Sequence, residues 1–468
     1  MSASTAPLNE STPTREEGLG SAASRLGWRT ILVYNLPTVG IGFMVLLVNM
    51  YLMKFATDVL LVAPAAMGLI FGLSRLWDAV TDPLAGYFSD RTSTRLGRRR
   101  PWLLASILPI GIAFSMLWSP PAGLGPQALV LWMAVGVFLF YSSMTIVVVP
   151  HTALGAELSD NYHERTRLFG VRHVTWSLGS LAAIGVMSIL IAAPFPRVSA
   201  ARMSLGAAIF TALLLLIAVI GLRERPEYQG RGAHSPFKAF SDVLRNPHAR
   251  RLLLVFLIES LGGATIGILT PYVGEYIVGT PELTPVYILL YIVPSILSVP
   301  LWVVLSRHFG KKALWILAML ITSFGFGAMF LLGEGDVALI SGLAVFLGFG
   351  AGCGAVVAPS IQADIIDFDE YQTGQRKEGA YFAAWNLVFK TATGVTLMLT
   401  GFILQAAGFV PNAEQSEQAR FALLALYALF PMACYLIGTL IFMGFSLNEA
   451  EHAEIRAALQ ARRGRRED

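Results

Sequence analysis

Apolar runs of roughly 20 residues recur along the chain from Thr30 to Phe445, each long enough to cross a hydrocarbon core of about 30 Å. In lipid a backbone must satisfy its own N–H and C=O groups, so such runs fold as packed helices. Composition agrees, with 55% hydrophobic and 14% charged residues against about 25% charged in soluble domains. The expected fold class is an all-α membrane protein. The runs centre on 34–57, 65–88, 101–118, 127–150, 174–193 and 203–222, then 252–276, 284–306, 312–332, 338–361, 380–405 and 421–445. That is twelve transmembrane helices in two blocks of six.

The polar segments divide the chain. Residues 1–28 are rich in Ser, Thr, Ala and Glu without an apolar core, and read as a disordered tail, not a signal peptide. A bundle over 29–222 follows, then a linker over 223–251 carrying Pro226, Gly230, Gly232 and Pro236, a second bundle over 252–446 and a basic tail over 447–468 that reads as a short surface helix. Lys and Arg concentrate in the loops of one side, at Arg91 to Arg100, Arg165, Arg167, the linker, Arg307, Lys311, Lys312, Arg376, Lys377 and the tail. The other side offers only Arg197, Arg202 and Arg420. Basic loops resist translocation, so both termini are expected in the cytoplasm of a bacterial-type inner membrane, which an even number of spans allows.

Several classes are disfavoured. The basic residues form no stripe of the kind nucleic acid requires. An embedded enzyme would need a clustered nucleophile, histidine and acid, or a metal triad, yet His151 and His173 have no Cys or His partners at ligand spacing. No GxxxxGK[ST] sequence points to ATP. Cys353 and Cys434 lie inside apolar runs and read as packed thiols. No cofactor is expected, and a monomer is the default.

Charges at membrane depth carry the functional signal, because each costs about 2.5–3.5 kcal/mol to insert. Asp78 and Asp82 lie four apart in span two, so a helix puts both carboxylates on one face, about 6 Å apart at Cβ. They require positive compensation. Oxygen donors suit a hard cation, so a sodium ion or proton between them is one reading; the other pairs Asp78 with Arg75 and leaves Asp82 capping the kink at Pro83. Lys390, about ten residues into span eleven, is too deep to snorkel and needs an anionic partner. Lys54 reads as a snorkelling lysine near the end of span one, and Glu259 in span seven as a group paired with a cavity residue or hydrated near the basic side.

The halves echo each other. PLAGYFSDRTSTRLGRRRPWLL after span two matches PLWVVLSRHFGKKALWIL after span eight, and VVVPHTALGAELSDNYHERTR after span four matches VVAPSIQADIIDFDEYQTGQR after span ten. Such duplication marks rocking transporters with a midplane site. The stretches RLWDAVTDPLAGYFSDRTSTRLGRRRPW at 75–102, 150–172, and ADIIDFDEYQTGQRKEGAYFAAWNLVFK at 363–390 resemble the major facilitator superfamily. Within it they resemble the glycoside-pentoside-hexuronide:cation symporters, the family of the melibiose permease.

The resemblance implies two pseudo-symmetric six-helix bundles and symport of a sugar, glycoside or hexuronide with a monovalent cation by alternating access. It implies a cation site at Asp78 and Asp82, a sodium site if the coupling ion is sodium. Thr145 would be a hydroxyl ligand, unless that hydroxyl simply bonds its own helix. It places Lys390 near cation and substrate, and Arg172 at the start of span five, where anchoring at the basic side serves equally. The family's two sugar-gripping aspartates are Gly42 and Val148 here, which removes charge-assisted acceptors for hydroxyls. Asn49, Tyr141, Trp385 and Asn386 are the remaining polar or stacking candidates, each also explicable as packing, and a hexuronide could use Arg172 or Lys390. Relatives of this family move lysophospholipids, and the lost aspartates leave room for an apolar tail, which makes an amphiphile carrier the second reading. Asp90, Asp364 and Asp367, with Asp369 and Glu370, lie beside Arg98, Arg99, Arg307 and Arg376 in the basic-side loops. They read as gate salt bridges holding an outward-facing state, or as solvated loop charge.

Overall fold

The computed structural model describes residues 26–158, 162–224, 243–374, 378–447 and 449–467. Most of the expected tail and linker, and Arg376, lie outside them. The first six spans are α1 (Trp28–Met50, continuing through Leu52–Lys54 and a π-helical turn Phe55–Val59), α2 (Pro64–Arg91), α3 (Arg100–Trp118), α4 (Pro126–Glu157), α5 (Tyr162–Ile191) and α6 (Pro196–Gly221). The second six are α7 (Pro247–Tyr276), α8 (Thr284–Leu297 and Val299–Phe309), α9 (Lys311–Met329), α10 (Val337–Thr373), α11 (Glu378–Ala406) and α12 (Glu417–Leu424, a π-helical turn Ala425–Leu429, and Phe430–Met443). A tail helix α13 (Glu449–Glu467) follows. Proline at the first turn starts α2, α4, α6 and α7, where its missing N–H is no loss.

Eleven of these spans are long and apolar enough to cross a membrane. The exception is α2, whose 28 residues reach about 42 Å but carry Arg75, Asp78 and Asp82. Within the first half α1 packs on α5 and α6, α3 on α4 and α6, and α2 on α4; within the second, α7 packs on α11 and α12, α8 on α10, and α9 on α10 and α12. Across the halves α2 lies along α11, and α5 makes a slighter contact with α8, the pair a pseudo-twofold would relate to it.

The α2–α11 crossing is a backbone contact made by glycines. A Cβ on Gly401 would run into the Pro64 carbonyl, and one on Gly68 would sit 2.9 Å from the Leu397 carbonyl oxygen. Small residues allow such approach in lipid, where packing and not hydrophobicity drives association. This crossing lies toward the end of the bundle remote from the basic loops. The same end carries an ion-paired seal. Lys54 is 5% exposed and pairs with Asp58 of its own half and Glu275 of the other. Its ammonium lies 5.4 and 4.9 Å from the ring centres of Tyr272 and Tyr276. Tyr276 donates to Asp58 at 2.7 Å, the Thr57 and Tyr272 hydroxyls are 2.8 Å apart, and Asn412 donates to the Asp58 carbonyl at 2.7 Å. Lys54 therefore does not snorkel; its partners in the opposite half hold it.

At the basic end the described ion pairs of the expected gate charges lie within one half. Asp90 binds Arg99, and Arg98 and Arg99 both reach Glu157, at 2.7 and 3.0 Å, all within the first half. Asp364 accepts from Lys311 at 2.5 Å, and His452 of α13 lies 3.1 Å from Asp367, all within the second. The Arg307 side chain lies outside the described residues. Among the described residues the ion pair that joins the halves as an end seal is Lys54–Glu275, at the end remote from the basic loops. Glu224 caps α3, accepting from the backbone N–H groups of Arg98, Arg99 and Arg100 at 2.8, 2.9 and 2.7 Å. Gly97 (φ +107°) makes the turn, where a Cβ would strike that carboxylate. The tail helix docks by Ile455 and Leu459 into the core around α10.

Glu275→Gln removes the cross-half ion pair while leaving Lys54 its Asp58 partner. With Cys353 and Cys434 replaced, a single cysteine at the buried Val62, beside the seal, is expected to react several-fold faster with a membrane-impermeant maleimide in this variant.

Candidate ion and solute site

Asp78 and Asp82 lie one turn apart on α2, and the structure surrounds them with cations from both halves. Asp78 is 1% exposed and takes an Arg75 guanidinium N–H at 3.4 Å. The Lys390 ammonium, from α11, donates to Asp82 at 2.5 Å and lies 3.5 Å from Asp78. Thr145 of α4 donates to the other Asp82 oxygen at 2.7 Å, so its hydroxyl serves the carboxylate and not its own helix. Arg75 also donates to Asn49 at 2.8 Å and to the Tyr141 hydroxyl at 2.6 Å, and its guanidinium carbon stands 4.0 Å from the Tyr141 ring centre. Asp78 pairs with Arg75 as one reading proposed, but Asp82 is gripped by Lys390 and Thr145 instead of merely capping a kink.

On α2, the buried Asp78 Oδ1 and Thr81 Oγ1 have no hydrogen-bond partner. Asp78, Asp82 and Thr145 offer hard oxygen donors, the chemistry a sodium ion takes, or a proton through either carboxylate, and Thr81 lies between the two aspartates on the same helix. Thr81 was absent from the sequence-based site. Its only signal was position, between the two aspartates in an apolar run.

Beside this cluster a cavity of about 800 Å³ opens between the halves, with walls from α1, α2, α5 and α7 through α12. Of the expected solute contacts, Asn49, Asn386 and Lys390 line it. Tyr141 lies beneath Asn49, donating to it at 3.1 Å. Trp385 stands behind the lining residue Phe256, stacked at 3.6 Å between ring centres. Arg172 is not in the wall; its guanidinium lies 5.9 Å from the Phe169 ring. Glu259 does line the cavity, as do Arg75, Trp176 and Trp315, which periodicity alone had not separated from packing.

Gly42 and Val148 have structural uses. A Cβ on Gly42 would lie 2.5 Å from the Trp176 carbonyl oxygen, so this glycine lets α1 and α5 touch. Val148 packs against the core of the first half. The position that carries an aspartate in the resembled family is filled here by a neighbouring backbone.

Twelve spans in two related halves around a midplane cavity with buried, paired charges define a secondary transporter of the alternating-access type. The chain belongs to the MFS/sugar transport protein family, whose model matches residues 33–449. It is 26% identical to the glucuronide carrier protein homolog of Escherichia coli, over 92% of this chain and 95% of that one. It is 24% identical to sodium-dependent lysophosphatidylcholine symporter 1 of Xenopus tropicalis, over 91% and 87%. The fold matches the crystal structure of a D-xylose-proton symporter with a TM-score of 0.67 at 15% identity, over 90% of this chain and 98% of that one.

Restoring the missing carboxylate by Gly42→Asp is expected to destabilise the protein without creating a sugar grip, since overpacking costs typically 1–3 kcal/mol. A lowered unfolding midpoint in detergent checks this; an unchanged midpoint with a gain in galactoside affinity would contradict it.

Proposed function

We propose that this protein is a cation:solute symporter of the inner membrane, moving a sugar, glycoside or hexuronide by alternating access, with Asp78 and Asp82 as the cation site. The observation that carries this reading is the Lys390 ammonium, reaching from the second half to both carboxylates of the first. A transported sodium ion or proton entering at Asp78, Asp82 and Thr145 competes with that ammonium for the same charge. Loading the cation loosens a tie between the halves and changes the wall that Lys390 and Asn386 present to the solute. Cation and solute then share a coupling free energy, typically 1–3 kcal/mol, which each exerts equally on the other.

The basic end faces the cytoplasm on the positive-side rule, placing both termini there. The Lys54–Glu275 seal is then external, and the cavity reaches toward the cytoplasm. Asn49, Asn386 and Lys390 serve as solute contacts, with Tyr141 and Trp385 positioning Asn49 and Phe256. No oligomeric partner is needed for a site internal to one chain. The relative that is a sodium-dependent symporter supports sodium as the coupling ion.

The second reading, transport of a lysophospholipid or similar amphiphile, draws on that relative and on the apolar wall built by Leu46, Met50, Ile266, Ile288 and Ile292. Uptake into proteoliposomes of labelled glycosides and hexuronides, with a lysophospholipid alongside, under imposed sodium or proton gradients decides between them. Sugar accumulation on one gradient supports the first reading, and lysolipid movement without it the second. The Asp78→Asn, Asp82→Asn double variant is expected to lose gradient-driven accumulation entirely while keeping solute exchange; concentrative uptake by that variant would sink the assignment.

A further inference from the structure

We infer that Glu259, on the wall of the central cavity formed by the second half, accepts the hydroxyls of an uncharged glycoside and disfavours hexuronides. The inference rests on the sugar-symport reading and narrows its substrate class. Glu259 is 9% exposed and lines the cavity, on the thirteenth residue of α7, roughly 18 Å along the helix axis from its start. Its protein partner is the Trp315 indole N–H. Among the described residues no basic side chain forms an ion pair with it. One donor leaves most of a carboxylate's acceptor capacity open, and at this depth an unmet acceptor is costly.

The other charges of the cavity are already matched. Arg75 is held by Asp78, Asn49 and Tyr141, and Lys390 by Asp82 and Asp78. Each meets a uronate carboxylate only by giving up carboxylates it already holds, and Arg172, the other candidate for that task, is outside the wall. Glu259 offers acceptor oxygens that a solute hydroxyl can meet by donating, whereas a uronate carboxylate brings only further acceptor oxygens and a charge into a low-dielectric space.

Phe256 lies one turn before Glu259 on the same lining face, backed by its stack on Trp385. A flat apolar ring beside a carboxylate matches the two faces of a pyranose, its C–H surface and its hydroxyl edge. This pair supplies in the second half a carboxyl acceptor of the kind that Gly42 and Val148 withhold in the first.

The test uses the purified full-length protein and matched p-nitrophenyl β-glucoside and β-glucuronide, with the corresponding galactose pair. Binding is followed by displacement of bound sugar and calorimetry, and sodium and proton binding are measured separately without sugar. The neutral member of a pair is expected to bind at least tenfold tighter than its uronate. Glu259→Gln is expected to shrink or reverse that ratio by tenfold or more, leaving cation binding intact, with Glu259→Asp closer to the native ratio. A native protein that binds the uronate as well as the glycoside overturns the inference without any variant, as does an unchanged ratio in Glu259→Gln. In either case cation-driven sugar uptake leaves the symport reading standing. Intact cation binding with no affinity for any member of either pair would overturn the sugar reading together with this one.

Discussion

A charge buried in hydrocarbon has to be answered by another, and the arrangement of the whole protein follows from how Arg75, Asp78, Asp82 and Lys390 answer one another. Three of the four lie on α2 and the fourth on α11, so the cluster is complete only when the two halves stand together. The glycine-lined crossing of α2 with α11 brings Lys390 within reach. Interface and ion site are therefore one object. A change in the charge at Asp78 and Asp82 is felt directly as a change in how strongly the halves hold each other, because removing one partner from a buried ion pair leaves the other uncompensated.

The two ends of the bundle hold their charges differently. Lys54, Glu275 and the tyrosines of α7 join the halves at one end, whereas the described pairs of Asp90, Arg98, Arg99, Asp364 and Asp367 at the other stay within a half. That asymmetry is what one stage of an alternating-access cycle requires, with bistable contacts at each end that cannot all be made at once. The Glu224 cap and the docked tail helix keep each half internally tied at the end where the halves are not joined to each other through these residues.

Spans, the break into halves and the aspartate pair were legible in the sequence because each is a local signal, set by hydropathy, loop charge or helical spacing. Lys390 was legible as a charge too deep to be idle, and its partners followed from sign alone. What stayed hidden was distance across the fold. Lys54 looks like an interfacial lysine until Glu275, more than 200 residues away in the chain, is placed beside it. The acidic and arginine-rich loops read as a gate because sequence gives charge but not partner, and the described partners of Asp90 and Asp364 lie within their own halves. Gly42 illustrates the converse: its departure from the family pattern read as a lost ligand, while its close approach to the Trp176 backbone has no signature in the sequence. Thr81 and Glu259 gained meaning only from an unpaired oxygen and a cavity wall.

The least apolar span of the bundle is also the one that holds the ion site, and this bears on how the protein is made. With Arg75, Asp78 and Asp82 in its middle, each unfavourable by about 2.5–3.5 kcal/mol, α2 does not partition into lipid alone as its eleven neighbours can. Its charged groups are met in part by α1 and α4, and their balance is completed only by Lys390 of α11, some 300 residues later in the chain. During synthesis the half-built protein therefore carries an unfinished, underneutralised helix, so biogenesis and ion coupling draw on the same three side chains.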